Sequence, residues 1–382
     1  MAKREIDVVA AGHICVDITP TFGEVAGARV EEIMRPGKLL VVGAPAISTG
    51  GPVSNVGLAL RRLGLRASLM GKCGDDPFGE MLLELVKREA PGAEAGMRLS
   101  PGEQTSYTIV VALPGIDRIF LHCPGANNTF GPEDVDRDIL RSARLFHFGY
   151  PPLMERMFSS GGEALAQIMQ SAAQAGAATS LDLALPDPAS PAGRADWRQI
   201  LKASLPHTDV FLPSLEETMF MLRRERFEEL SGRPGGVLDG ATAGDLRALA
   251  EEAIEMGASI VVIKCGHLGA YLKTGKSLGR AADLLGLGDE WRSVELFEPA
   301  CRVRKIFSAT GSGDSAIAGF LCALLRGEPP RRCMQVLTAV GAQNLSAFDA
   351  VSGIRSWDET LSDLRAGPEK VALSPALSEL AG

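Results

Sequence analysis

The residues best suited to chemistry lie in the segment Thr310-Gly-Ser-Gly-Asp314. Gly311 and Gly313 allow a backbone turn to approach a ligand closely. An apolar helix is predicted to follow at once, so free N–H groups at its start would point into that turn, where they suit a transferring phosphoryl group. The carboxylate of Asp314 beside them could accept a hydroxyl proton. The same pattern is also typical of an ordinary helix N-cap.

A second set of candidate residues lies near the N-terminus. Gly50 and Gly51 precede a predicted helix that carries Asn55, so a polyol could rest on the backbone there. Asp17 is predicted at the carboxyl end of a buried first strand over 6–16, and ligands bind at that edge of a parallel sheet. A simple turn or a capping Asp would also explain each of these features.

A pair of carboxylates follows a predicted strand in the segment Leu212-Pro-Ser-Leu-Glu-Glu217. Glu216 or Glu217 could hold Mg²⁺ through water. The helix dipole also favours acidic residues in a first turn, which explains either residue taken alone.

Alternating strands and helices must position these residues. Strands are predicted at 145–149, 178–183, 209–213 and 260–264, and helices at about 160–175, 215–223, 244–256, 313–326 and 333–347. This alternation predicts a mostly parallel sheet with helices on both faces. Extended segments at 18–49 and 104–124, the latter around a Pro114-Gly115 turn, predict a small β appendage. The stretches 224–242 and 274–292 are predicted to be surface loops.

Composition narrows the class of protein. The 382 residues are 46% hydrophobic and 23% charged, as in an ordinary globular protein and unlike a disordered chain. The net charge of -8 and the lack of a long apolar run argue against nucleic-acid and membrane partners. The seven cysteines include no CxxC pair, which disfavours structural zinc and a disulfide framework. We therefore expect a soluble, cytoplasmic protein with reduced thiols.

Taken in this order, the motifs resemble the PfkB/ribokinase-like carbohydrate kinase family over roughly residues 6–355. The segment GGPVSNVGLALRRLG from Gly50 to Gly64 is similar to the family's N-terminal signature. The segment GKCGDDPFG at 71–79 resembles the one that follows it in the family, and Thr310-Gly-Ser-Gly-Asp314 resembles the C-terminal signature. Both signatures in one chain, with Asp17 upstream, make the resemblance specific.

The resemblance implies a fold. We expect an α/β, ribokinase-like three-layer sandwich whose mostly parallel central sheet has helices on both faces, plus a small β lid over the sugar. The core would comprise 1–17, 50–103 and 125–366, the lid 18–49 and 104–124, and a C-terminal tail 367–382. The family also allows a homodimer that forms through the lid.

The resemblance also implies an activity, the transfer of the γ-phosphoryl group of ATP to a hydroxyl of a small sugar or polyol. By the match, Asp314 is the base, and the amides of Gly311, Ser312 and Gly313 form the anion hole. The other implied contacts are to the sugar (Asp17, Gly50, Gly51, Asn55 and Arg118), to the nucleotide (Lys264, Gly266 and Thr310) and to Mg²⁺ (Glu217).

The chain departs from the family pattern at two motifs. Ser308 and Ala309 replace an Asp and a Thr of the C-terminal signature. That Asp belongs to a monovalent-cation loop in ribokinase-like members, so activation by K⁺ is in doubt. Ser214 replaces the Asn of an Asn-x-x-Glu motif, which weakens the case for Mg²⁺ at Glu217.

Two alternative functions stay open. One is a nucleoside kinase, against which the low aromatic content of the predicted lid argues, because a base favours a stacking partner. The other is a non-catalytic sugar or nucleotide sensor, which the altered motifs suggest and the intact Gly-Ser-Gly-Asp segment opposes.

Overall fold

A large central sheet runs through the structure, a computed structural model that describes residues 4–22, 35–113 and 118–380. The strands of this sheet and of two smaller ones are β1 (Ile6–Gly12), β2 (Cys15–Thr21), β3 (Gly43–Gly50), β4 (Ala67–Met70), β5 (Lys72–Gly74), β6 (Arg98–Ser100), β7 (Tyr107–Val111), β8 (Ile119–Cys123), β9 (Ala143–Gly149), β10 (Ala178–Leu181), β11 (Val210–Phe211), β12 (Ile260–Lys264), β13 (Gly269–Thr274) and β14 (Glu295–Pro299). The central sheet has the order β14-β13-β12-β11-β10-β9-β1-β4. Neighbours from β12 to β4 pair in parallel, whereas β13 and β14 form an antiparallel edge. The predicted mostly parallel sheet is therefore confirmed.

Helices connect these strands. The α-helices of the described residues are Pro52–Arg62, Pro77–Glu89, Arg137–Ser142, Glu155–Phe158, Glu163–Gln174, Pro191–Arg194, Trp197–Ser204, Leu215–Leu222, Arg224–Ser231, Gly236–Gly240, Ala243–Glu255, Gly279–Leu285, Ser312–Leu325, Pro330–Asn344 and Trp357–Arg365.

The hydrophobic core has two halves, one on each face of the central sheet. Val9 of β1 belongs to one half, together with buried residues of the helix Glu163–Gln174. Val8 belongs to the other half, together with buried residues of the helix Ser312–Leu325. Because successive side chains of a strand point to opposite faces, one apolar strand serves both halves. The predicted three-layer arrangement is confirmed.

A four-stranded sheet in the order β3-β2-β7-β8 forms the region predicted to be the lid. The single strand predicted over 6–16 is wrong, because β1 ends at Gly12 and β2 begins at Cys15 in this second sheet. The chain bends at Gly12, where φ is 116° and a side chain would come within 2.3 Å of the carbonyl oxygen of Gly149. Asp17 consequently lies on a strand of the lid sheet, paired with Ser48 on β3, and not at the carboxyl edge of the central sheet.

The extended segments of 104–124 pair as β7 and β8, which are antiparallel as predicted. The Pro114-Gly115 turn lies outside the described residues. The division of the chain into a core at 1–17, 50–103 and 125–366 and a lid at 18–49 and 104–124 stays a prediction.

The two predicted surface loops are wrong. The helices Arg224–Ser231 and Gly236–Gly240 lie in the first, and the helix Gly279–Leu285 lies in the second. These helices have eight residues or fewer, which is too short to show a clear helical period, yet Leu230 and Leu285 are buried in the core.

The C-terminal segment is docked on the core. The amide of Arg302 donates to the carbonyl of Glu369 at 2.8 Å, and the amide of Val371 donates to the carbonyl of Ala300 at 2.9 Å. Leu377 is buried further on. No helix among the described residues is long and apolar enough to span a bilayer.

Candidate active site

The helix Ser312–Leu325 begins at the centre of the candidate site. Its N-cap is Gly311, whose φ of 74° favours glycine. A side chain at Gly311 would also come within 2.5 Å of the Cβ of Ala350. Both the backbone conformation and the lack of space therefore require the glycine that the motif contains.

The backbone amides at this helix start are partly free. The amide of Ser312 donates to the carbonyl of Ala309 at 3.2 Å. Within the described residues, the amides of Gly313 and Asp314 have no hydrogen-bond partner. The helix start thus offers N–H groups and the positive end of its dipole to an anion. Of the three predicted anion-hole amides, that of Ser312 is the one already engaged.

The carboxylate of Asp314 does not cap its own helix. Its Oδ2 accepts a hydrogen bond from Nδ2 of Asn55 at 2.8 Å. The hydroxyl of Tyr150 lies 3.0 Å from Oδ1 and 3.1 Å from Oδ2. Asp314 is buried, with 1% of its surface exposed. Burial raises the pKa of the Asp314 carboxyl, and Asn55, Lys264 and Tyr150 limit that rise.

The residues predicted to bind sugar meet where β2 and β3 reach the helix Pro52–Arg62. A side chain at Gly50 would lie within 2.5 Å of the Asp17 carboxylate, so these two residues touch. Gly51 has a φ of 85°, and a side chain there would come within 2.6 Å of His13. Burial raises the pKa of Asp17. The structure therefore brings Asp17, both glycines and Asn55 to one end of the site.

A pair of histidines that the sequence analysis did not consider lies beside these glycines. Nε2 of His13 is 3.2 Å from Nε2 of His122, which is carried by the lid strand β8. Nδ1 of His122 is 3.0 Å from Oγ1 of Thr108 on the neighbouring strand. Burial and the nearby His122 lower the pKa of His13 well below its usual range, so this pair is neutral at pH 7.

Arg118 contacts the segment that precedes the helix Ser312–Leu325, and its predicted contact to the sugar stays a prediction. Its Nη2 donates to Oγ of Ser308 at 2.8 Å. Ser308 precedes the helix start and also accepts a hydrogen bond from the amide of Thr310 at 3.2 Å. The guanidinium therefore contacts the loop that leads into the helix Ser312–Leu325.

A cavity of about 400 Å³ opens beside the helix start. Ser312 and Gly313 line it, as do Lys264 and Gly266 from the end of β12. Its other lining residues are mostly apolar, among them Val303, Ile306, Ala316, Leu337, Leu345 and Val371. An apolar cavity that ends at free amides suits a flat heterocycle joined to a phosphate chain. Of the predicted nucleotide contacts, Thr310 does not line the cavity.

Lys264, which lines this cavity, forms a buried ion pair with Asp182. Nζ of Lys264 donates to Oδ1 of Asp182 at 2.6 Å and also contacts the carbonyl oxygen of Leu212. Burial raises the pKa of Asp182, whereas the charge and the hydrogen bond of Lys264 act in the opposite direction. Burial and the charge of Lys264 lower the pKa of His147 to about 3. The predicted nucleotide residue Lys264 therefore already has a carboxylate partner.

Glu217 forms a capping box at the start of the helix Leu215–Leu222. Its Oε2 accepts from the amide of Ser214 at 2.6 Å, and its own amide donates to Oγ of Ser214 at 3.2 Å. Ser214, which departs from the family motif, thus keeps Glu217 in place. Within the described residues there is no cluster of three or more metal-ligating side chains. A single carboxylate such as Glu217 could meet a metal only together with ligands from outside these side chains, such as phosphates and water, and its role stays a prediction.

Sequence reasoning missed Tyr150, Asp182 and the two histidines. Tyr150 directly follows β9 and Asp182 directly follows β10. Both lie at the carboxyl edge of the parallel sheet, where ligands bind. The position of Tyr150 directly after the predicted strand 145–149 was a usable signal, whereas Asp182 was placed inside the predicted strand 178–183 and nothing in the sequence pairs His13 with His122.

Comparison with known proteins assigns the chain to a family. A model of the pfkB family carbohydrate kinases matches residues 14–357. The chain therefore belongs to the pfkB family of carbohydrate kinases, as its motifs predicted.

Individual relatives agree with this assignment. Fructokinase-2 of Solanum lycopersicum is 31% identical over 226 residues, which are 59% of this chain and 64% of that protein. An uncharacterized sugar kinase of Archaeoglobus fulgidus is 28% identical over 305 residues, which are 79% of this chain and 100% of that protein. The chain spans between half and two thirds of the length of the curated fructokinases it matches.

Solved structures share the fold. The ribokinase of Arabidopsis thaliana complexed with ribose and ATP has a TM-score of 0.69 at 16% identity and covers 94% of this chain and 99% of its own. The fructokinase of Xylella fastidiosa with bound ATP has a TM-score of 0.68 at 19% identity and covers 94% of this chain and 98% of its own. The predicted ribokinase-like sandwich is therefore confirmed.

Proposed function

We propose that this protein is an ATP-dependent kinase that transfers the γ-phosphoryl group to a hydroxyl of a small sugar or polyol. The observation that carries the proposal is the place of Asp314. Its helix start faces an apolar cavity of about 400 Å³ on one side, and its carboxylate meets Asn55 of the sugar-binding cluster on the other. A base between a donor cavity and an acceptor site is what phosphoryl transfer requires.

Asp314 acts as the base. The acceptor hydroxyl takes the place of a hydrogen bond that now covers the carboxylate, and its proton passes to Asp314 as the oxygen attacks. A bond forms between that oxygen and the γ-phosphorus, while the bond from the γ-phosphorus to the oxygen of the leaving ADP breaks. Asn55 holds the other carboxylate oxygen at 2.8 Å and so fixes the direction of the base.

The helix start stabilises the transferring group. The free amides of Gly313 and Asp314 donate to the oxygens of the γ-phosphoryl group, and the helix dipole adds positive potential there. Each such donor typically contributes about 10²–10³ in rate. The Gly311 turn is needed because a larger residue would collide with Ala350.

Mg²⁺ that arrives with the nucleotide would neutralise charge on the phosphates. Glu217 is the carboxylate that would meet it through water, because Asp182 is already paired with Lys264 at 2.6 Å. A monovalent cation is not part of the proposal, since Ser308 offers a neutral hydroxyl in place of a carboxylate.

The acceptor is proposed to be an uncharged sugar or polyol. Asp17, Asn55 and the neutral His13–His122 pair present hydrogen-bonding groups without positive charge, and these suit hydroxyls. Fructose is the first compound to test, because several curated relatives are fructokinases.

The experiment measures ADP formation from ATP with fructose, ribose, an inositol and adenosine as acceptors, and identifies the product by mass spectrometry. We expect phosphorylation of one or more of the sugars or polyols. Phosphorylation of adenosine alone would replace the proposal by a nucleoside kinase. Saturable sugar binding with no ATP consumption for any acceptor would replace it by a sensor.

A matched pair of variants tests the role of the base. Asp314→Asn is expected to lower turnover by about 10²–10⁴-fold and to keep ATP binding. Asp245→Asn is the control, because Asp245 also stands in the first turn of a helix after a glycine, but in a capping box with Thr242. A native rate in the Asp314→Asn variant would exclude Asp314 as the base.

A homodimer through the lid stays a prediction. The lid sheet exposes Ile47, Phe120 and Leu121, which such an interface would cover. The oligomeric state in solution, measured by light scattering, tests it.

A further inference from the structure

Tyr150 has an unusual backbone conformation. It follows the last residue of β9 directly, and its φ of 60° places a bulky side chain in the left-handed region. The two residues after it, Pro151 and Pro152, are buried, and its carbonyl accepts from the amide of Leu153 at 3.0 Å. Such a conformation is costly and persists where the surrounding structure enforces it, most often at functional sites.

The side chain of Tyr150 ends on the carboxylate of Asp314. Its hydroxyl lies almost equally far from the two oxygens, at 3.0 Å and 3.1 Å. Burial and the negative charge of Asp314 raise the pKa of the phenol well above its usual range, so the hydroxyl keeps its proton and donates. The strained residue therefore points a hydrogen-bond donor at the proposed base.

We propose that Tyr150 is a positioning residue for phosphoryl transfer, whose hydroxyl holds the Asp314 carboxylate in the ionised and correctly directed state. This inference rests on the proposed function, since it names a partner of the same base. When an acceptor hydroxyl binds at Oδ1, the phenol remains on Oδ2. The chain then holds that oxygen from two sides, from Tyr150 and from Asn55.

Other charged side chains also affect the ionisation of Asp314. Lys264 favours ionised Asp314, whereas Glu217 and Asp182 oppose it. Asn55 donates to Oδ2 but does not titrate. A hydrogen bond donated to a carboxylate lowers its pKa, so loss of the Tyr150 hydroxyl should raise that of Asp314.

The test compares Tyr150→Phe with Tyr271→Phe, which removes a hydroxyl from a buried tyrosine on β13 outside the site. The base must be ionised, so kcat/KM rises with pH through its pKa. We expect the acid limb of the Tyr150→Phe profile to move up by about one pH unit, with about tenfold lower activity on that limb and an unchanged KM for ATP. Tyr271→Phe should follow the wild type.

A second measurement does not need turnover. The infrared band of the protonated Asp314 carboxyl is the band that is absent from the Asp314→Asn variant. Its intensity is followed as a function of pH in the wild type and in Tyr150→Phe. We expect its midpoint at a higher pH in the variant. Should Tyr150→Phe not fold, Tyr150→Asn replaces it, because Asn tolerates the left-handed conformation and is too short to reach Asp314.

The outcomes separate the two proposals. An Asp314 band that titrates at the same pH in the variant and the wild type overturns the role of Tyr150, whatever the activity. A wild type that phosphorylates no acceptor overturns the proposed function, while the infrared titration still decides whether Tyr150 keeps Asp314 ionised.

Discussion

The hydroxyl of Ser308 accepts a hydrogen bond from Nη2 of Arg118 at 2.8 Å, although the two residues are 190 positions apart. Arg118 immediately precedes the lid strand β8, and Ser308 lies on the loop that leads into the helix Ser312–Leu325. The contact thus joins the second sheet to the loop before the helix Ser312–Leu325.

Arg118→Gln is expected to affect the donor side of the reaction more than the acceptor side. A hydrogen bond from a charged group contributes about 1.5–3 kcal/mol, so kcat/KM for ATP should fall by about tenfold or more, with a smaller change in the acceptor KM. Steady-state kinetics in both substrates test this. Ser308→Ala removes the same bond, so the double variant should be little worse than either single one. A change confined to the acceptor KM would instead support the sugar contact predicted from the sequence.

Activity is expected not to depend on K⁺. Ser308 provides no carboxylate, and its oxygen already faces the positive charge of Arg118. Rates measured at equal ionic strength in potassium, sodium and tetramethylammonium chloride should agree within about twofold, since all three then screen surface charges alike. A rate that rises in a saturable way with K⁺ alone would contradict this expectation.

Gly50→Ala is expected to impair acceptor binding selectively. The added methyl group would lie within 2.5 Å of the Asp17 carboxylate, so that side chain must move from its place. We expect the acceptor KM to rise by about tenfold or more, while the Kd for ATP stays unchanged, because one lost charged hydrogen bond has that magnitude. Gly232→Ala is the control, since a methyl group there has its nearest neighbour at 3.8 Å. Equal acceptor KM values in the two variants would remove Asp17 from the site.

Asp7→Asn is expected to lower stability in a pH-dependent way. Arg66 donates to both carboxylate oxygens of Asp7, at 2.9 Å and 3.0 Å. Burial by itself would raise the pKa of Asp7. The hydrogen bonds and the charge of Arg66, together with the charge of Arg144, outweigh burial and hold this pKa below its usual range. A carboxyl whose pKa is lower in the folded state stabilises the folded protein at pH values above its unfolded-state pKa, which is near 4. This stabilisation is lost as the pH falls through the pKa of the folded state.

At pH 7 the loss should be about 1–2 kcal/mol, because solvent screens the half-exposed Arg66. Urea unfolding of wild type and variant between pH 7 and pH 3 should show the difference shrinking toward acid. Asp138→Asn, which breaks an exposed pair with Arg141, is the control and should change stability little at any pH. A difference that does not shrink between pH 7 and pH 3 would contradict the role of the Asp7 charge.

The sequence was sufficient to predict the elements that have long apolar or periodic segments and to identify the residues of the motifs. Strands such as β12 are apolar over their whole length, because the sheet buries them on both faces, and this signal is local. Gly311 and Gly50 were identifiable because backbone turns and close contacts need glycine wherever they occur. Elements with few apolar residues, such as Arg224–Ser231, were missed because their helical form depends on neighbours that are distant in sequence.

What the sequence alone determined is therefore the fold class, the family and the candidate residues of each motif. Only the tertiary structure decided which groups meet. Tyr150 and Asn55 converge on Asp314, Lys264 is paired with Asp182, and Arg118 donates a hydrogen bond to Ser308. The physical reason is that propensity and periodicity act over a few residues. The pairing of buried polar groups, in contrast, is set by where strand ends, helix starts and the lid sheet come together in space.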